Sequence, residues 1–155
     1  MKILFENIRI PEEYGFADEH IFVLTNNNII AYVGKERPSD YDKVIDGKGN
    51  LLIPGFYNSH CHAPMVMFRG YGEDLPLGRW LNEKIFPAEE RLNNANVYVA
   101  SKLAIAEMLK NGIVSFSDMY MFVNSIAEAV VETIRPIQEE HTRLISSKDY
   151  LETIY

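Results

Sequence analysis

The sequence predicts an α/β protein in two parts: a β-rich unit over residues 1–53, then parallel βα units from residue 54 onward. Three observations lead there. Short β-branched and aromatic runs before Pro54-Gly55 are separated by Asn/Gly turn residues and carry no helical period. After Pro54-Gly55, strand-like and helix-like runs alternate, which is the pattern of parallel βα units. The run of residues 51 to 62 is apolar and then ends in two histidines, as a strand that delivers polar side chains at its C-terminal end would.

Each element has its own reason. "KILFENIRI" places Ile3, Phe5, Ile8 and Ile10 in partial alternation. "HIFVLTNNNIIAYVG" is two β-rich runs joined at Asn26-Asn27-Asn28, and asparagine tolerates the positive φ that tight hairpins need. "YDKVIDGKGNLLI" holds Asp46-Gly47 and Lys48-Gly49-Asn50, turn residues between short β runs. These strands read as a small antiparallel unit without a helix. "LLIPGFYNSH" is a strand bent near its middle. Asn94 is the expected N-cap of a helix running to about Lys110 and stopped by Asn111-Gly112. Its apolar positions Ala100, Leu103, Ala104 and Met108 share one face. "IVSFSDMY" is a second strand, and "VNSIAEAVVETI" a short helix with Val123, Ile126, Ala127, Val130 and Val131 at i, i+3, i+4, i+7, i+8. The polar tail 138–155 is expected to be helical, near 136–146 and again near 148–155.

Composition narrows the function classes. The chain has 155 residues and a formal charge of −7, with no Lys/Arg cluster. Nucleic acid and anionic membrane surfaces are therefore poor partners, and no apolar run approaches the roughly 18 residues of a membrane span. Cys61 is the single cysteine, so no intramolecular disulfide forms. A polar N-terminal stretch and that cysteine fit a cytoplasmic protein.

His60 and His62 are the residues that point to chemistry. Positions i and i+2 of a strand share a face, so two imidazoles can aim at one point while Cys61 faces away. Imidazole suits zinc, iron and nickel alike. Two histidines one residue apart can also be a solvated strand end. The surrounding residues favour a built site: Pro54-Gly55 allow a bend, Asn58 can hydrogen-bond an imidazole or nearby backbone, and Pro64 ends the strand.

The run "IPGFYNSHCHAPMVMFRGYGEDLPLGRWLNEKIFPAEERL" resembles the amidohydrolase superfamily. It is most similar to the branch with methylthioadenosine/S-adenosylhomocysteine deaminases and related chlorohydrolases. "HAPMVMFRG", "DLPLGRWL", "FPAEERL" and "GIVSFSDMY" occur in that branch's order, and the resemblance covers roughly residues 1 to 137. It implies a small β-sandwich-like unit (1–53), then a partial (β/α) TIM-type barrel of about two of eight units (54–137), then a divergent tail (138–155). It implies His60 and His62 as metal ligands, a divalent metal (zinc, with iron or manganese as alternatives) and a small-molecule substrate. Glu89 is implied to bind that substrate through sugar hydroxyls, and Trp80 to line the pocket. Read without the resemblance, Glu89 is a solvated helix residue and Trp80 a core residue. Asp118 ends the second strand at a position the family does not use as a ligand, and reads as a structural hydrogen-bonder.

The implied reaction is hydrolysis of a C–N bond other than a peptide bond, with an adenine nucleoside such as methylthioadenosine or S-adenosylhomocysteine deaminated. Dechlorination, guanine deamination and a non-catalytic remnant are the alternatives. The family's remaining histidines, its aspartate ligand and its proton-shuttling glutamate have no counterpart here, so no catalytic residue is identified. His141 lies in a polar stretch and reads as solvated. A whole barrel takes about 250 residues, so the open strands are expected to need a second copy or a partner chain.

Overall fold

The computed structural model describes residues 1–11 and 20–140. The chain divides into two compact units, one containing Met1–Gly55 and the other Phe56–Arg135.

In the first unit, β1 (Lys2–Ile8), β2 (Ile21–Asn26), β3 (Ile29–Gly34) and β4 (Lys43–Asp46) form one sheet in the order β3-β2-β1-β4. β2 and β3 are the expected hairpin. Asn26 pairs with Ile29 across Asn27-Asn28, with Asn27 at φ 52°. β1 pairs antiparallel with β2, and a bulge at Asn7 (φ 55°) shifts the register between Phe5 and Ile8. The wholly antiparallel expectation is corrected at β4, which runs parallel to β1 from Ile3–Lys43 to Glu6–Asp46. Alternation fixes the face a residue takes, not the direction of its strand. Here the chain returns to the start of β1, where the Asp42 amide donates to the Lys2 carbonyl (2.9 Å) and the Lys2 amide to Asp42 Oδ2 (2.6 Å). Ile8, Ile21 and Val23 form the core of this unit, with Phe5, Ile10 and Leu52 packed against them.

The second unit runs β5 (Phe56–Cys61), a 3₁₀ turn (Ala63–Phe68), α1 (Leu77–Trp80), a π-helical turn (Leu81–Ile85), α2 (Phe86–Glu89), α3 (Asn94–Lys110), β6 (Ile113–Asp118) and the part of α4 (Val123–Glu140) up to Arg135. β5 and β6 pair in parallel from Phe56–Ile113 to Cys61–Asp118, with α3 as the crossover. The N-cap of α3 is Asn93, one residue before the expected Asn94. Its side chain accepts from the Asn96 amide at 3.0 Å. Asn111-Gly112 ends the helix, with Gly112 at φ 77°.

Two helix faces differ from expectation. On α3, Val97, Ala100, Ser101, Ala104 and Ile105 are buried, whereas Leu103 is 50% exposed. On α4, Ser125, Ile126, Ala129 and Val130 are buried, whereas Val123 and Val131 are each 55% exposed. The five apolar positions of α4 spread wider than one contact line. The small Ser125 and Ala129 permit close approach on the Ile126/Val130 side, and packing selects that side. Of the expected tail helices, α4 reaches Glu140. The rest of that expectation lies outside the described residues. Val97, Tyr120 and Ile126 form the core here, surrounded by Met65, Leu92, Phe116 and Phe122. Among the described residues no helix is long and apolar enough to cross a membrane.

Candidate active site

His60 and His62 sit at the C-terminal end of β5, both exposed. Asn58 Oδ1 accepts from the His60 amide (3.3 Å), within the stretch where the β5–β6 register shifts between Asn58 and Cys61. The two imidazole centroids are 5.1 Å apart, with the ring planes at 87°. Zinc–nitrogen bonds of about 2.1 Å in a tetrahedral arrangement put two imidazole centroids about 5 Å apart. The centroid separation of the pair matches that spacing. Among the described residues no set of three His, Cys, Asp or Glu side chains gathers around such a point.

Asp118, at the end of β6, locks the turn that follows the pair. Its Oδ2 accepts the buried Ala63 amide at 2.8 Å and a long bond from Cys61 Sγ at 3.8 Å. Burial raises the Asp118 pKa, and the Ala63 amide opposes that shift most strongly. Its Oδ1 is buried without a hydrogen bond of normal geometry, although the Tyr120 amide lies close enough to favour the carboxylate. Burial pushes the Cys61 thiol up to about 12, with the Asp118 charge adding to it. A neutral thiol beside a half-buried carboxylate is a structural pairing; a nucleophilic cysteine needs a lowered pKa.

Glu89 comes from the helical arm of residues 77–89. Pro87 removes a backbone donor and its ring crowds the carbonyl four residues back. The helix widens into the π turn just before it, where the Phe86 amide donates to the Leu81 carbonyl. The arm ends with Glu89 Oε1 accepting from the Tyr120 hydroxyl at 2.7 Å. The Tyr120 ring lies edge-on to His62, centroids 6.1 Å apart at 67°. Burial first, and Glu89 second, raise the Tyr120 pKa above its ordinary value. Tyr120 thus links the histidine end of β5 to Glu89. Sequence reasoning missed it, and the one available signal was its place two residues beyond the end of a parallel strand.

Trp80 is seated differently. Its indole N–H donates to the Tyr71 carbonyl at 2.8 Å. The ring lines a cleft of about 510 Å³ with Met65, Phe68, Tyr71, Leu75 and Leu77. Met65 also packs against the Val97–Tyr120–Ile126 cluster, which puts that cleft beside the Tyr120 core.

A sequence profile of the amidohydrolase family matches residues 51–138, more than half of the chain. The chain belongs to the amidohydrolase family. This amidohydrolase is 41% identical over 134 residues to the 5-methylthioadenosine/S-adenosylhomocysteine deaminase of Dictyoglomus turgidum, covering 86% of this chain and 31% of that protein. It is 50% identical over 111 residues to the 5'-deoxyadenosine deaminase of Methanothermobacter thermautotrophicus, covering 71% of this chain and 26% of that one. The amidohydrolase chain thus spans about a third or less of these curated relatives. Among solved structures it is similar to an adenosine deaminase from Xanthomonas campestris with bound zinc (TM-score 0.71, 28% identity, 84% of this chain and 31% of the other). It is also similar to a zinc-complexed atrazine chlorohydrolase from Arthrobacter aurescens TC1 (TM-score 0.71, 19% identity, 86% and 34%), a likeness of fold alone.

Proposed function

We propose that this chain is the N-terminal part of a metal-dependent deaminase of adenine nucleosides. His60 and His62 supply two metal ligands, and Glu89 receives the sugar hydroxyls. The observation that carries this reading is the joining, through Tyr120, of two imidazoles spaced for one ion to a carboxylate on a separate helix. The names of the similar deaminases support the substrate class. The parallel pairing of β5 and β6 across α3 supports reading residues 54–137 as the first two of eight barrel units. The compact unit that contains Met1–Gly55, with its four-stranded sheet, supports a β-rich domain over residues 1–53.

A bound divalent cation, zinc foremost, would supply a Lewis acid that brings a water's pKa towards neutrality. This chain's own residues do the rest of what it contributes. Asp118 holds the turn after His62, which keeps both imidazoles at the strand end. Glu89 offers acceptor oxygens to a vicinal diol. Trp80 and its neighbours offer an apolar wall. Two imidazoles fall short of the three protein ligands usual in catalytic zinc sites, so the 155-residue chain alone is a slow catalyst. Strands exposed on both faces, such as β5 at Phe56 and Tyr57, support association with a second copy or a partner chain. The single unpaired Cys61 supports a reducing, cytoplasmic setting.

The test is ammonia release from methylthioadenosine, S-adenosylhomocysteine and adenosine by the purified chain with zinc, iron or manganese. Slow release is expected, well below the about 10 s⁻¹ typical of enzymes, and it should vanish in His60→Ala. Release that survives His60→Ala, or turnover of guanine or a chlorinated triazine in its place, would overturn the reading.

A further inference from the structure

Glu89 is anchored by the Tyr120 side chain, whose ring also lies edge-on to His62. Tyr120 is 9% exposed and clusters with Val97 from α3 and Ile126 from α4, with Leu92, Met65, Phe116 and Phe122 packed against that cluster. A ring so enclosed does not swing, so its hydroxyl is a fixed point. That hydroxyl donates to Glu89 Oε1 at 2.7 Å. Glu89 itself is only half-buried and has three rotatable bonds, so it would otherwise wander at the rim of the site. Among the described residues Glu89 Oε2 takes no hydrogen bond.

We propose that Tyr120 is a positioning residue for ligand recognition: it pins one oxygen of Glu89, leaves the other as a fixed acceptor for a ligand hydroxyl, and sets the distance of that acceptor from His62. The inference rests on the reading of Glu89 as the receiver of sugar hydroxyls. Its chemistry is one-directional. Tyr120 donates, so Glu89 must accept, and the carboxylate's free oxygen then selects ligands that carry O–H donors. The edge-on contact of the same ring with His62 ties the spacing of the two recognition points to one rigid group, with only a ring and one hydrogen bond between them. Pre-positioning an acceptor spares its ordering at the moment of binding, which strengthens binding without a new contact.

The experiment measures binding of adenosine and of 2',3'-dideoxyadenosine to the full chain by calorimetry. The comparison covers the wild-type protein, Tyr120→Phe, Glu89→Ala and the Tyr120→Phe/Glu89→Ala double variant. Wild type should prefer adenosine. Tyr120→Phe, which removes one oxygen and keeps the ring, should weaken adenosine binding about tenfold. Its dideoxyadenosine binding should not change. In the Glu89→Ala background Tyr120→Phe should have no further effect on the preference, since the two act as one unit. A structural role alone would weaken both ligands together. If Tyr120→Phe does not fold, Glu89→Asp draws the carboxylate back from the tyrosine hydroxyl with the ring intact, and its preference should fall to the Glu89→Ala level. Full preference retained in Tyr120→Phe, or in Glu89→Asp, overturns the proposal and leaves the reading of Glu89 standing. No preference, or no adenosine binding, in the wild-type chain overturns both.

Discussion

Replacing Asp118 with alanine tests the lock that follows the histidine pair. The substitution removes the acceptor of the Ala63 amide (2.8 Å) and of the Cys61 thiol (3.8 Å). Ala63 is 4% exposed, so solvent cannot take over its N–H. An orphaned buried donor costs about 1–3 kcal/mol, and the long thiol bond adds little. Against this, burial disfavours the carboxylate, and its removal returns part of the loss. The net expectation is a loss of about 1–2 kcal/mol, roughly 5- to 30-fold in the folded-to-unfolded ratio. Trp80 is the single tryptophan and lies in the same unit, so urea denaturation followed by its fluorescence reads the effect. Asp118→Asn separates acceptor from charge. Because the folded-state pKa is raised, the wild-type state holds its proton longer than the unfolded chain. The contribution of this group is therefore largest below the ordinary carboxylate range and falls as pH rises through the raised pKa. Asp118→Asn should lack that fall. A denaturation midpoint unchanged in Asp118→Ala, or the same pH profile in Asp118→Asn as in wild type, would refute the reasoning.

The other predictions follow from single contacts. A Cβ at Gly47 would lie 2.1 Å from Ile8 Cγ2, inside the core of the first unit, so Gly47→Ala should destabilise that unit by about 1–3 kcal/mol in thermal melts. Asn93→Ala removes the cap of α3 and should cost about 1 kcal/mol, seen as a lower midpoint in the Trp80 titration. With its thiol pushed up to about 12, Cys61 should alkylate with iodoacetamide at pH 8 at least about a hundredfold more slowly in the folded chain than in urea. The sign for stability follows: the folded thiol keeps a proton that the unfolded one loses above its ordinary value of 9.0, so this group's contribution declines as pH rises past that value.

Local chemistry was legible wherever it decides structure locally. Asn27-Asn28 announced the β2–β3 hairpin, Asn111-Gly112 the end of α3, and the strand–helix–strand order the parallel pairing of β5 with β6. Adjacent Asn93 and Asn94 are chemically equivalent caps, so the start of α3 was open by one residue. The direction of β4 was not legible, because alternation carries no sign and the direction is set by where Asp42 meets Lys2. The buried faces of α3 and α4 were only partly legible. Leu103, Val123 and Val131 satisfy the helical period yet are exposed, since packing picks one line from a broad apolar stripe. In the candidate site, strand periodicity suffices to bring His60 and His62 together. The role of Tyr120 depends on three elements converging on one ring, and no spacing along the chain encodes that.

The most direct test of the central claim is metal stoichiometry by equilibrium dialysis of the purified chain against zinc. The account predicts about one zinc per chain, lost in His60→Ala and in His62→Ala taken singly, and retained in His20→Ala, which alters an exposed histidine of the β-rich unit. Zinc bound equally well by the His60→Ala and His62→Ala proteins, or no zinc bound by the wild-type chain, would contradict it.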